Sequence, residues 1–139
     1  MTTMTAMRMA GALNRVSVLV VEDDPDTREI FTLSLGAVGA QVRSVTSAEA
    51  ALALLVTWRP DIMLCDLHLP GVDGYSLIEH VHADDRYRTI PMISISGSHP
   101  ELEQERSRQA GFARHLVKPS KLADIVRAVA SVRLAQPVV

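Results

Sequence analysis

The sequence has a single cysteine, Cys65, so no internal disulfide can form and no oxidising compartment is required. It has no basic excess. Its 14 Lys and Arg stand against 16 Asp and Glu, and a net charge of -2 lacks the electrostatic footprint of a nucleic-acid binder. It has no apolar run of the length that a membrane span takes. The methionine-rich start, Met1 to Asn14, is interrupted by Arg8 and Gly11 and does not form the apolar stretch of a signal peptide. Internal repeats and low-complexity linkers are absent too. These absences point to a cytoplasmic protein whose partner is a protein or a small ligand, with no direct nucleic-acid or membrane contact. At 139 residues, with 47% hydrophobic and 22% charged side chains, the chain has material for one core but not two. We expect a flexible extension over residues 1–14, one domain over 15–134 and an unstructured tail over 135–139.

From Val16 onward, short apolar runs alternate with longer amphipathic ones. That pattern predicts five βα units and a parallel sheet covered by helices on both faces. Val16 to Val21 is β-branched and nearly continuous, as a buried central strand is, and it ends on Glu22-Asp23-Asp24. Asp24 is placed to cap a helix begun by Pro25, with Ile30, Phe31, Leu35 and Val38 as its inward stripe and Gly39 as its stop. A short strand near Gln41 to Val45 follows. Ser47 then opens a helix bearing Ala48, Ala51, Leu52 and Leu55, which Pro60 ends, and Trp58 near that end reads as packing. The third strand, Asp61 to Cys65, runs directly into Asp66. Pro70, Gly71 and Gly74 bend the loop beyond it, and Leu77, Ile78 and Val81 give the third helix its apolar face. Pro91 to Ile95 is the fourth strand, ending at Ser96-Gly97. The polar segment from Ser98 to Gln109 offers only Leu102 for burial, so a helix there is weakly anchored. Ala113 to Val117 is the fifth strand, ending at Lys118-Pro119, and Leu122, Ile125, Val126, Val129 and Val132 line the last helix.

In an open parallel sheet the carboxyl ends of the strands form the ligand crevice. Four predicted strands each deliver a polar group there: Glu22 and Asp23, Asp66, Ser96, and Lys118. Carboxylates crowded together repel, and a hard divalent cation such as Mg²⁺ relieves the conflict while accepting phosphate oxygens into its shell. Asp66, on a central strand before a bent loop, is then placed as the nucleophile toward phosphorus. Ser96 would donate a hydrogen bond to a phosphoryl oxygen, and Lys118 would supply the remaining positive charge.

Over roughly Val16 to Val132 the chain resembles the receiver domain of bacterial response regulators. The resemblance is carried by Leu19-Val20-Val21-Glu22-Asp23-Asp24, by Asp66-Leu67-His68-Leu69-Pro70-Gly71-Val72-Asp73-Gly74, by Ser96-Gly97 and by Lys118-Pro119, in that order and at fitting spacing. It implies a doubly wound, five-stranded, flavodoxin-like fold and a two-component or phosphorelay switch. It further implies Mg²⁺ dependence and phosphate taken from a phosphohistidine on a histidine kinase or phosphotransfer protein. It places Asp23 and Asp66 directly on the metal, Glu22 on it through water, and the His68 backbone carbonyl in the same shell. It also implies a cis Lys118-Pro119 bond. The family often has Thr at Ser96, Ala at Gly97 and Tyr or Phe at His115, so Ser96 and His115 form the expected switch pair with altered polarity. The run from Ala110 to Pro119 is similar to receivers attached to hybrid histidine kinases.

Each residue also has a plainer reading. Glu22-Asp23-Asp24 alone is most often a helix-capping turn, Lys118 alone a solvated surface lysine, and Asp66 alone a cap. Cys65 reads as a small buried core residue, and His80, His82 and His99 as surface residues. The His68 side chain, two positions past the acceptor, is placed to shield an acyl phosphate or orient a hydrolytic water. Three other functions compete with the switch. A non-phosphorylated pseudo-receiver is opposed by the intact acidic, hydroxyl and lysine set. A flavin or nucleotide binder needs a phosphate-cradling loop where this chain has carboxylates. A metal-dependent phosphatase with an Asp nucleophile usually has a second carboxylate two residues on, where this chain has His68. The switch reading makes the chain a signalling protein and not an enzyme. With no effector domain after Val132, its output is expected through a downstream protein or self-association, from the face of Ser98 to Gln109, His115 and the last helix.

Overall fold

A computed structural model describes residues 9–97 and 99–135. Expectations for residues 1–8, for Ser98 and for the tail 136–139 lie outside the described residues. The chain forms five strands: β1 (Ser17–Val21), β2 (Gln41–Val45), β3 (Ile62–Asp66), β4 (Met92–Ser96) and β5 (Arg114–Val117). They alternate with α1 (Pro25–Ala37), α2 (Ala48–Leu55), α3 (Gly74–Ala83), α4 (Pro100–Ala110) and α5 (Leu122–Ala135). All strand pairs are parallel, in the order β2-β1-β3-β4-β5, which is the doubly wound sheet expected from the sequence.

Strand alternation divides the core in two. Val18 and Val20 of β1 and Ile62 and Leu64 of β3 face one side, where Phe31 and Leu35 of α1 and Ile125 and Val129 of α5 cover them. Leu19, Val21, Met63 and Cys65 face the other, against Ala51 and Leu55 of α2 and Leu77, Ile78 and Val81 of α3. The caps predicted at Asp24 and Ser47 form, and Asp73 adds a third that was not predicted. Asp24 accepts from Thr27 N at 2.9 Å, Ser47 from Ala50 N at 3.1 Å and Asp73 from Ser76 N at 2.8 Å. Gly39, with φ of 102°, ends the first helix as its position predicted.

Two side chains depart from expectation. Ile30 is 55% exposed, because the buried stripe of α1 runs through Phe31, Leu35 and Val38, and a neighbour of Phe31 is turned about 100° away from it. Leu102 is 73% exposed, while α4 buries Glu103 and Ser107, one turn apart. The helix lies on the sheet through a polar side, which an apolar periodicity count cannot find. The described part of the N-terminal segment is anchored by one side chain. Leu13 is 1% exposed inside the α1/α5 core, and its N–H donates to Val38 O at 3.0 Å. Leu13→Ala should therefore lower the unfolding free energy by about 2–4 kcal/mol in urea denaturation, and a loss under about 0.5 kcal/mol would contradict this packing.

Candidate functional site

The parallel register brings the carboxyl ends of the strands to one edge: Val21 lies opposite Cys65, Asp66 opposite Ile95, and Ser96 opposite Val117. The residues that follow gather there. Lys118 Nζ lies 3.0 Å from Asp66 Oδ2 and 2.6 Å from Glu22 Oε1. The Glu22 contact is an ion pair without hydrogen-bond geometry, and both Glu22 oxygens are buried with no hydrogen-bond partner. Burial, reinforced by Asp66, pushes the Glu22 carboxyl up to about 7, against the pull of Lys118. Burial opposes the Lys118 charge, but the two carboxylates outweigh it and hold the ammonium above its usual range. Asp23 is exposed at the rim, and Arg28 of α1 steadies the end of β1 by donating to Glu22 O at 3.0 Å.

Asp66 is buried at the end of a strand buried throughout, and its Oδ1 accepts from the backbone N–H of His68 at 3.0 Å. One oxygen is thus fixed by the loop and the other by Lys118. Gly74 makes the tight return possible. A Cβ there would sit 2.6 Å from Asp66 O and 2.8 Å from Leu67 Cα, so only glycine lets α3 start this close to the strand end. The Lys118–Pro119 bond is cis, as the resemblance implied.

Ser96 is fully buried, and its Oγ lies 3.3 Å from His115 Nε2, while Ser94 Oγ lies 2.7 Å from His115 Nδ1. The half-buried His115 ring is therefore turned in toward β4. His68 sends its side chain to α4, with Nε2 2.5 Å from Glu103 Oε1, and Tyr75 OH donates to Glu103 Oε2. The Arg106 guanidinium stacks 4.0 Å over the Tyr75 ring. Cys65 is buried, and burial drives its thiol far above the ordinary range, so it is no nucleophile. His80 and His82 on α3 and His99 before α4 are exposed.

The structure brings Glu22, Asp23, Asp66 and Lys118 together at this edge, and the sequence reading missed Ser94, Tyr75, Arg28 and Glu103. Ser94 carried a signal, since it shares a strand face with Ser96 two residues on. Glu103 and Ser107 carried a weaker one, as a four-residue polar spacing along a helix that lacks an apolar stripe.

The response regulator receiver domain model matches residues 18–130. The chain belongs to this family. It is similar to the polar-differentiation response regulator DivK of Brucella anthropi, 30% identical over 115 residues that make up 83% of this chain and 94% of that one. A response regulator structure from Chloroflexus aurantiacus is 29% identical, with a TM-score of 0.82 over 86% of this chain and 98% of that chain. The receiver domain of a sensor histidine kinase from Pseudomonas aeruginosa, solved with magnesium in its active-site cleft, is 27% identical, with a TM-score of 0.77 over 87% and 98% of the two chains. Receivers are signalling switches, and the chain is a phosphoacceptor domain of two-component signalling. Among the described residues, no helix is long and apolar enough to cross a membrane.

The acidic end of this receiver fits the Mg²⁺ that the family binds. Glu22, Asp23 and Asp66 each bring an oxygen within 4.8 Å of the others, and the buried Glu22 oxygens, which have no hydrogen-bond partner and only the Lys118 ion pair beside them, suit a cation or its water shell. A carboxyl held near 7 when folded and at 4.5 when unfolded costs stability as pH rises through that window. Without divalent ion, the parent should therefore lose stability relative to Glu22→Gln between pH about 5 and 8, by on the order of 2 kcal/mol. Added Mg²⁺ should narrow the gap. Thermal unfolding of both proteins across pH checks this, and a gap that does not grow with pH would contradict the buried charge.

Proposed function

We propose that Asp66 accepts the phosphoryl group from a phosphohistidine on a histidine kinase or phosphotransfer protein. The observation that carries this is the different footing of the three acids. Glu22 is buried, Asp23 is exposed at the rim, and Asp66 alone has one oxygen on a backbone N–H and the other on the lysine ammonium. Two donors orient Asp66, which supports its role as the attacking carboxylate. An Asp66 oxygen forms the new P–O bond while the P–N bond to the donor imidazole breaks. The electron pair stays on that nitrogen, which takes up a proton.

Asp23 and Asp66 would hold Mg²⁺ directly, Glu22 through water, and the His68 carbonyl would complete the protein's share. When bound, the ion neutralises carboxylate and phosphoryl charge. Lys118 moves its ion pair from Asp66 to the phosphoryl oxygens, and Ser96 donates its hydroxyl to one of them. Glu22 remains beside Lys118 and keeps the ammonium at the site. The chain turns over no external substrate and promotes only its own phosphorylation and dephosphorylation, and we place it in the cytoplasm. A phosphatase reading fares worse, because the His68 imidazole, where an acid/base carboxylate would stand, is engaged with Glu103.

Incubation with acetyl phosphate and Mg²⁺ should add one phosphoryl mass to the parent and none to Asp66→Asn by intact mass spectrometry. An equal gain in the variant would put the acceptor elsewhere. Output is assigned to α4, β5 and α5, read by a downstream protein or a second copy of the chain. Support comes from the anchoring of α4, whose buried side chains are Glu103 and Ser107. Beryllofluoride with Mg²⁺ should shift amide resonances across Pro100–Ala110 and Arg114–Val117 more than those of α2, and an unchanged α4 would reject this surface.

A further inference from the structure

The two contacts of the His115 ring belong to one row of hydrogen bonds whose direction can be worked out. Ser94 and Ser96 are two residues apart on β4, share one face of the sheet, and are both fully buried. Besides touching His115 Nδ1, Ser94 Oγ donates to the carbonyl oxygen of Arg114 at 3.3 Å. A carbonyl has no proton to give and a hydroxyl has only one, so this bond fixes the rest of the row. While the Arg114 bond holds, Ser94 Oγ accepts from Nδ1–H. A neutral imidazole carries one proton, which leaves Nε2 with a lone pair, and Ser96 must donate its O–H to it. At rest the Ser96 proton is therefore committed to His115.

That commitment conflicts with the role assigned to Ser96. A phosphoryl oxygen only accepts, so a Ser96 hydroxyl that meets it withdraws its proton from Nε2. The Nε2 lone pair then faces a hydroxyl oxygen, and the contact becomes repulsive. With the Ser94–Arg114 bond kept, one solvent proton on Nε2 removes the conflict, whereas moving the Nδ1 proton to Nε2 gives that bond up. The imidazolium donates through both nitrogens, to Ser94 Oγ and to Ser96 Oγ, and the Ser96 proton is free to point at the phosphoryl group.

We propose that His115 is a positioning residue that sets the direction of the Ser96 hydroxyl, and that phosphorylation of Asp66 is coupled to uptake of one solvent proton by His115. The proposal rests on Ser96 being a donor to the phosphoryl group. By linkage it is reciprocal: phosphorylation favours the imidazolium, and acidification favours the phosphorylated arrangement. The surroundings suit a group that is neutral at rest and chargeable. Burial holds His115 below its usual range, while the Glu103 carboxylate of α4 pulls the other way. From β4 the ring meets the hydroxyls of Ser94 and Ser96. Arg108 of α4, which is paired with Glu105, and Arg114 of β5 itself line the same cleft. The Tyr or Phe usual at this position in the family titrates nowhere near neutral pH, so the coupling belongs to this chain's histidine.

Nitrogen-15 NMR of the imidazole in the parent protein tests the resting row. The expected signature near pH 7.5 is a neutral ring protonated at Nδ1, converting to imidazolium on adding beryllofluoride and Mg²⁺. Neutral Nε2–H at rest, or no change of charge on binding, overturns the proposal. The linkage is read from beryllofluoride affinity at saturating Mg²⁺ between pH 8 and 6, taken as the ratio of parent to His115→Phe so that Glu22 titration cancels. The ratio should rise toward about tenfold per pH unit across the titration of His115, the limit for one proton. A flat ratio, with binding that Asp66→Asn abolishes, overturns the coupling alone. Equal binding by Asp66→Asn removes the acceptor assignment and the coupling with it. Should His115→Phe fail to fold, His115→Gln gives the same non-titrating reference.

Discussion

One ammonium group, Lys118 Nζ, lies within 3.0 Å of carboxylates from two different strands, and most of the chemistry at this edge follows from that crowding. Lys118 carries one charge and meets two. Glu22, buried without a hydrogen-bond partner, is left with a carboxyl held up near 7, so the arrangement is incomplete without further positive charge. The same shortage makes the edge receptive to a divalent cation and, with the cation in place, to a phosphoryl group. Buried charges are costly singly and tolerable only as a set. The fold's contribution is to supply that set from strands whose cores are apolar almost to their last residue.

Much of this was legible in the sequence because the sheet converts strand order into spatial proximity. An apolar run followed by an acid, a hydroxyl or a lysine predicts a polar group at the carboxyl edge, and parallel pairing brings those groups together without any detail of packing. Asp24 and Ser47 were readable as caps for a similarly local reason, since each cap concerns residues three apart. Ile30 was misplaced because its α1 stripe is narrow and a single step along the helix turns a side chain to solvent.

The polar side of α4 was not legible. Leu102 was the one apolar candidate and it faces water, while the helix is tied down by Glu103, which holds His68 beside the acceptor and Tyr75 at the start of α3. Those bonds link residues 35 and 28 positions apart, and nothing in local composition announces them. A helix held by a few hydrogen bonds and little apolar area has a low threshold for displacement. Its main anchor reaches the loop that starts at the acceptor. The His115 row is a second tie between β5 and the Ser96 hydroxyl. Acceptor, α4 and β5 are thus joined by polar contacts whose direction depends on where protons sit, which suits a surface that must change when one anion arrives.

We infer that the edge is a single metal-assisted acceptor site. Its most direct test is a crystal structure with Mn²⁺ and beryllofluoride, the cation placed by its anomalous signal. The expected result is one cation bound by Asp23, Asp66 and the His68 carbonyl, beryllium on an Asp66 oxygen, and Lys118 on a fluoride. A cation sited away from these carboxylates, or beryllofluoride bound elsewhere than Asp66, would contradict it.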